Sequence, residues 1–154
     1  MRAATTSALF GLARLPIFVD TTAWYAVRVR EDRASTAARD TLRRLTIDEF
    51  LLATTNLVVG ETYTLLRARR GYQAAWAFLD VLERTTRLTR HFLTPELETQ
   101  AYAILRQYRD HDFSYVDATS FAFMRSRGIS DAFAFDAHFA TAGFTRIPLD
   151  RPLD

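Results

Sequence analysis

The pattern that most constrains the fold is a short apolar run that ends in a carboxylate and leads directly into a helical segment. Residues 16–19 form the run, Asp20 follows it, and Thr21 and Thr22 precede the helical segment 23–27. A buried strand that delivers an acid to the carboxyl edge of a parallel sheet has this form, and ligand sites lie at that edge. We therefore expect an α/β sheet with a site at the end of its first strand.

The rest of the chain alternates between strand-length and helix-length segments. Further strands are predicted at 50–54, 88–92, 132–135 and 145–147. Helices are predicted at 36–45, 56–69, 72–84, 95–108 and 114–127, with a short one after Asp136. In the helix 72–84, the side chains expected to face inward are Trp76, Leu79 and Leu82. This order predicts a three-layer α/β/α fold with a mostly parallel central sheet flanked by helices.

Length and composition limit the domain count and the compartment. A chain of 154 residues is expected to form one domain. We assign that domain to 16–154, and we expect residues 1–15 to be a flexible N-terminal extension. No apolar run approaches the roughly 20 residues that cross a membrane. Cysteine is absent, which excludes disulfides and thiolate zinc sites and favours the cytoplasm.

The basic residues also exclude mechanisms. All 20 of them are arginine. The chain therefore lacks the lysine on which receiver domains, aspartate-nucleophile phosphatases, Walker-type phosphate sites and Schiff-base enzymes rely. The formal net charge is only +2, so any polyanion must be bound by local arginine clusters.

Three acids occupy positions at which a capping role and a chemical role are both reasonable. Asp20 and Asp136 each follow a strand and suit helix N-caps, although Thr21 or Thr22 could cap the first helix instead. Asp117 fits a capping box that begins at Ser114. Capping alone would explain each of these acids taken singly.

Glu61 is the acid that capping does not explain. It is assigned to the apolar stripe of the helix 56–69, one turn from Leu57 and one turn from Leu65. A buried carboxylate there requires an arginine partner or a bound cation. Four such acids at one sheet edge cannot all stay ionised without a compensating cation, and ligation by oxygen alone suits Mg²⁺ or Mn²⁺. We leave His138 out of this set because a lone histidine is more often structural.

The surroundings of the four acids resemble those of a known family. In order along the chain, the segments 18–24, 55–62, 113–121 and 132–139 resemble the four acidic blocks of PIN domains, and in particular those of VapC toxins of type II toxin–antitoxin systems. The resemblance implies a metal-dependent endoribonuclease that hydrolyses RNA phosphodiester bonds and is paired with a small antitoxin protein. Besides this partner, we consider a homodimer as the oligomeric state of the protein.

The resemblance also implies roles for individual residues. The ligands of Mg²⁺ or Mn²⁺, and thus the catalytic acids, would be Asp20, Glu61, Asp117 and Asp136. The hydroxyl groups that position an acid or a water molecule would be those of Thr22 and Ser120.

Two questions stay open at the level of sequence. Three arginines lie at the end of the helix that carries Glu61: Arg67, Arg69 and Arg70. They either steer an RNA backbone or serve as cations at a helix C-terminus. The alternative to a nuclease is a catalytically idle PIN-like binding or assembly module. Such a module would be expected to lack one of the acids, and all four are present. An RNase H-like fold would need a strand meander where helices follow Asp20.

Overall fold

The computed structural model of the chain describes residues 14–153. Within this range the strands are β1 (Ile17–Val19), β2 (Leu52–Thr55), β3 (Leu88–His91), β4 (Asp131–Phe133) and β5 (Thr145–Ile147). The helices are α1 (Thr21–Arg28), α2 (Ser35–Ile47), α3 (Asn56–Arg70), α4 (Tyr72–Arg84), α5 (Pro95–Gln107), α6 (Tyr115–Arg127) and α7 (Ala137–Thr141).

The five strands form one sheet in the order β3-β2-β1-β4-β5, and every pairing is parallel. Phe18 of β1 lies opposite Ala53 on one side and Ala132 on the other, so β1 is the central strand. The chain moves outward from β1 to β3 and then returns to place β4 on the other side of β1. In sheets of this kind ligands bind where the direction reverses, which here is the carboxyl edge between β1 and β4.

The helices form two layers, as expected. Because crossovers between parallel strands are right-handed, the connections through α1 to α4 cover one face of the sheet and those through α5 to α7 cover the other. The contacts agree: α1 packs on α2 and α3, and α3 on α4, while α6 packs on α5 and α7. The two layers also touch, because α3 contacts α6. The predicted three-layer α/β/α fold is confirmed.

Aromatic side chains fill the space on both sides of β1. The ring of Phe18 lies 5.9 Å from that of Phe123 and 6.2 Å from that of Phe139, measured between centroids. Trp24 of α1 packs on Phe78 of α4 at 5.8 Å. Burial of each such side chain contributes about 1.5–3 kcal/mol, so β1 and the residue that follows it are held in a rigid setting.

The structure corrects the sequence prediction at the end of β4 and on the surface of α4. The strand expected at 132–135 ends at Phe133, because the main-chain N–H of Phe135 donates to the hydroxyl of Thr22 instead of to a neighbouring strand. Trp76 was expected to face inward, yet 49% of it is exposed; it stacks on Tyr72 at the outer surface of α4.

Most of the predicted N-terminal extension lies outside the described residues. Its last two residues, Arg14 and Leu15, are described, and the Arg14 guanidinium lies over the Phe50 ring at 4.3 Å from the centroid. In the described range, no helix combines the length and the apolar character needed to cross a membrane.

Candidate active site

Three of the predicted site acids hold the first turns of helices. Asp20 is the N-cap of α1, and its Oδ2 accepts from the Thr22 main-chain N–H at 3.1 Å and from the Thr22 hydroxyl at 2.7 Å. Asp136 is the N-cap of α7, and its Oδ1 accepts from the His138 N–H at 2.8 Å. The alternative that a threonine replaces Asp20 as the cap is wrong.

Asp117 completes the capping box of α6. The Ser114 hydroxyl accepts from the Asp117 N–H at 3.0 Å, and Asp117 Oδ2 accepts from the Ser114 N–H at 2.9 Å. Each of the three acids therefore uses one oxygen for its cap. The other oxygens, which are Asp20 Oδ1, Asp117 Oδ1 and Asp136 Oδ2, accept no hydrogen bond from the described part of the chain. Capping orients each carboxylate and leaves one oxygen for a ligand, so the two roles are compatible.

Hydrogen bonds join the ends of β1 and β4, the strands that precede the first and last acids. The Asp20 N–H donates to the Phe133 carbonyl at 3.1 Å. The Thr22 hydroxyl donates to Asp20 Oδ2 and accepts from the Phe135 N–H at 3.0 Å. Thr22 thus ties the carboxylate that follows β1 to the segment that leads from β4 to Asp136.

A histidine joins the acids at this point, although the sequence analysis set it aside. One ligand atom from each of Asp117, Asp136 and His138 lies within 4.8 Å of the others. The imidazole Nδ1 is 3.1 Å from Asp117 Oδ2 and 3.6 Å from Asp136 Oδ1. The sequence signal that could have pointed to His138 was its position two residues after Asp136, at the second residue of the helix that this acid caps.

Glu61 reaches the site from a different face of α3 than expected. The buried face of α3 consists of Val58, Val59, Thr62 and Leu66. Glu61 itself is exposed, and Leu57 and Leu65 are only half-buried. The prediction that Glu61 lies on the buried stripe is wrong, because α3 carries two apolar stripes and the other one packs on the sheet. Glu61 instead borders the cleft that contains Asp136.

Two of the four acids, Asp20 and Glu61, have raised pKa values. Burial raises the pKa of Asp20 to about 7, and the charge of Asp117 adds to this effect, while hydrogen bonds from Thr22 oppose it. The pKa of Glu61 is also raised, first by loss of water around its carboxyl group and then by the charges of Asp117 and Asp136. The charge of Asp117 therefore acts on both Asp20 and Glu61, and that of Asp136 acts on Glu61.

Arginine does not compensate this charge. Among residues 14–153 none of the four acids pairs with an arginine, and the only ion-pair contacts of Asp117 and Asp136 are with His138. The Ser120 hydroxyl, one turn beyond Asp117, is fully buried and has no hydrogen-bond partner in the same range. Crowded carboxylates with free oxygens are the donor set that Mg²⁺ and Mn²⁺ prefer, so the residues present fit a divalent cation.

Two of the four acids, Glu61 and Asp136, line an open cleft of about 520 Å³ that also has basic and aromatic walls. Arg33 and Arg69 line it together with Tyr25 and Phe135, and the Arg69 guanidinium lies over the Tyr25 ring at 5.6 Å. The other two arginines at the end of α3 lie elsewhere: Arg67 packs over Tyr72, and Arg70 pairs with Glu31. Of these three arginines in the described chain, only Arg69 lines the cleft.

Known proteins share this sequence and this fold. The sequence model of the PIN domain matches residues 17–145. The chain is 41% identical, over 132 residues, to the 23S rRNA-specific endonuclease VapC20 of Mycobacterium tuberculosis strains CDC 1551 and H37Rv. The aligned region covers 85% of this chain and 97% of the relative.

The fold agrees with the sequence. The crystal structure of M. tuberculosis VapC20, described as a sarcin–ricin loop cleaving toxin, superposes with a TM-score of 0.77 at 39% identity. That match covers 85% of this chain and 98% of the VapC20 chain. A family match over most of the length, a relative above 40% identity and the same arrangement of strands and helices agree with one another. The chain belongs to the PIN domain family.

Proposed function

We propose that this protein is a metal-dependent endoribonuclease that hydrolyses RNA phosphodiester bonds as the toxin of a toxin–antitoxin pair. The observation that carries the proposal is the group of four acids at the reversal point of the sheet, which lack an arginine partner among the described residues. The named activity of the relative VapC20, an endonuclease specific for 23S rRNA, supports the same reaction class. Mg²⁺ or Mn²⁺ is the cation we propose for Asp20, Glu61, Asp117 and Asp136.

The chain contributes positioning more than chemistry. When bound, a divalent cation supplies Lewis-acid activation of water and offsets charge on the phosphoryl oxygens. The caps at Asp20, Asp117 and Asp136 fix the carboxylates before any ligand arrives, so little reorganisation is required at the moment of reaction. Thr22 holds Asp20 through its hydroxyl, and the buried Ser120 hydroxyl is available for a further polar contact.

The test of the function is cleavage of RNA by the purified protein without any antitoxin. We choose 23S rRNA and a short hairpin with the sarcin–ricin loop sequence as substrates, because the name and description of VapC20 point to them. We expect endonucleolytic cuts with Mg²⁺ or Mn²⁺ and none with excess chelator. Intact RNA at all metal concentrations would contradict the proposal and would favour the idle binding module.

The basic wall of the cleft gives a prediction about substrate binding. Arg33 and Arg69 are exposed, and neither forms an ion pair within residues 14–153. We expect the double variant Arg33→Gln/Arg69→Gln to raise KM with little change in kcat. The slope of log affinity against log salt should fall by about one per lost phosphate contact. Filter binding at several salt concentrations and steady-state cleavage measure the two effects.

Arg43→Gln is the matched control for that variant. Arg43 is an exposed arginine on α2 that is not part of the cleft. Its removal changes the net charge without touching the acids or the cleft, so KM and the salt slope should stay close to those of the parent. An equal effect of Arg43→Gln would show that the arginines act only through overall charge.

Two further proposals concern the partner and the compartment. We propose a small antitoxin that inhibits cleavage, and we propose the cytoplasm as the setting, since the chain lacks cysteine. A short neighbouring reading frame whose product forms a complex with this protein and suppresses cleavage would support the first proposal. Cleavage that stays unchanged in the presence of that product would contradict it.

A further inference from the structure

One histidine contacts two site acids that come from different parts of the fold. Asp117 lies in the first turn of α6, and Asp136 precedes α7. The main-chain N–H of His138 donates to Asp136 Oδ1 at 2.8 Å, and its imidazole Nδ1 lies 3.1 Å from Asp117 Oδ2. An ionised carboxylate can only accept, so Nδ1 carries the hydrogen of the second bond. His138 therefore links the two acids through one main-chain and one side-chain donor.

The imidazole is held in this orientation from two sides. The Phe113 ring lies 5.1 Å from it between centroids, at an interplanar angle of 60°. The position of the residue at the start of α7 is set by the Asp136 cap. The side chain is 31% exposed, so it is neither fully buried nor free in solvent. A ring constrained in this way can hold a carboxylate in one rotamer.

We propose that His138 is a positioning residue of the metal centre: its Nδ1–H occupies Asp117 Oδ2 and leaves Asp117 Oδ1 as the oxygen available to the cation. This inference rests on the metal-dependent function proposed above. Carboxylates that bind metals are commonly oriented by such outer hydrogen bonds, and loss of these bonds weakens metal binding.

The contacts favour a donor over a direct ligand. Asp117 Oδ2 accepts from both His138 Nδ1 and the Ser114 N–H, and both distances are ordinary for hydrogen bonds. The 3.6 Å between Nδ1 and Asp136 Oδ1 is too long for one, and that oxygen already accepts the main-chain N–H of His138. Nδ1 therefore has a single partner, and its lone hydrogen is used.

The experiment measures Mn²⁺ binding to the full chain by calorimetry at one fixed, mildly alkaline pH, without RNA. We expect His138→Ala to weaken Mn²⁺ binding by about 10- to 100-fold. His138→Asn should bind within a few-fold of the parent, because its amide N–H stands where Nδ1–H stood. His138→Gln places its amide nearer to the Nε2 position and should behave like the alanine variant.

His91→Ala is the matched control. His91, on β3, is also half-buried with its ring against a phenylalanine, Phe123, at 4.7 Å. It contacts none of the four acids through a hydrogen bond in the described structure. We expect parental Mn²⁺ affinity, which separates loss of a donor from loss of a histidine that packs on an aromatic ring.

Pulsed EPR of bound Mn²⁺ separates a donor from a ligand. A donor role gives no hyperfine coupling from a directly bound nitrogen, in the parent or in His138→Asn. A nitrogen coupling in the parent that disappears in His138→Ala would overturn the inference. Equal Mn²⁺ affinity in the parent and in His138→Ala would overturn it as well. No Mn²⁺ binding by the parent would contradict the metal-dependent function itself. Should the alanine variant not fold, weak binding by a folded asparagine variant would overturn the donor role.

Discussion

The substitution Asp20→Asn is expected to abolish RNA cleavage while leaving the fold intact. Asparagine is nearly isosteric with aspartate and remains a good N-cap, so α1 should form as before. The free oxygen of Asp20 would become an uncharged amide group at the centre of the site. We expect a loss of at least about 100-fold in cleavage rate, since even outer partners of metal ligands contribute about 10- to 100-fold.

The same variant is expected to be more stable than the parent when no divalent metal is present. Burial raises the pKa of Asp20 from 3.8 to about 7, so the folded state binds more protons than the unfolded state between these values. The parent therefore loses stability as the pH rises through this window, by up to roughly 4 kcal/mol. Asparagine has no such loss. Above neutral pH, where this loss is complete, the Tm of Asp20→Asn should exceed that of the parent by roughly 8–16 °C.

Thermal unfolding from acid to alkaline pH and a cleavage assay check both halves of this prediction. The control is Asp131→Asn, because Asp131 begins β4 at the opposite edge of the sheet, where it pairs with Arg151. That variant should keep the parental cleavage rate. Full cleavage by Asp20→Asn would remove Asp20 from the site, and a lower Tm than the parent across the whole pH range would contradict the raised pKa.

Mn²⁺ is expected to stabilise the parent and to leave Asp20→Asn nearly unchanged. A ligand at about 100 times its Kd adds about 2.7 kcal/mol to the stability of the folded state, which corresponds to roughly 5–10 °C in Tm for a chain of this length. Protons and the cation compete for Asp20, whose pKa is about 7. The gain in Tm should therefore be small at acid pH and should grow as the pH rises through neutrality.

Differential scanning fluorimetry with and without Mn²⁺ at several pH values measures this gain. Parallel measurements with Ca²⁺ and Mg²⁺ at the same concentrations show whether the gain in Tm depends on the cation. The Tm of Asp131→Asn should rise as much as that of the parent. A gain that is independent of pH, or one of the same size in Asp20→Asn, would show that the cation binds elsewhere. Metal added to Asp20→Asn thus separates a metal effect at the acids from a general effect of divalent salt.

Local patterns predicted most of the fold because they act over a few residues. The end of α6 at Gly128 and its start at Ser114 follow from a left-handed cap and a capping box, both of which are readable in the sequence. The order of strands and helices, together with right-handed crossovers, requires a covered parallel sheet. The positions of Asp20 and Asp136 after their strands follow from the same reasoning, and the site roles of the four acids stay predictions.

Long-range packing decided what local patterns could not. The sequence analysis placed Glu61 on one apolar stripe of α3, with Leu57 and Leu65, but the stripe that packs on the sheet is the other one, so Glu61 lies on the exposed side. Trp76 was misplaced for the same reason.

The sequence by itself determined the fold class, the family and the acids at the strand ends, because these depend on residue order and short-range hydrogen bonding. Only the tertiary structure decided that each cap leaves one carboxylate oxygen free, that Arg69 borders the cleft, and that His138 meets Asp117. The last contact joins residues 21 positions apart, and it exists because β4 returns beside β1 and brings α7 against α6.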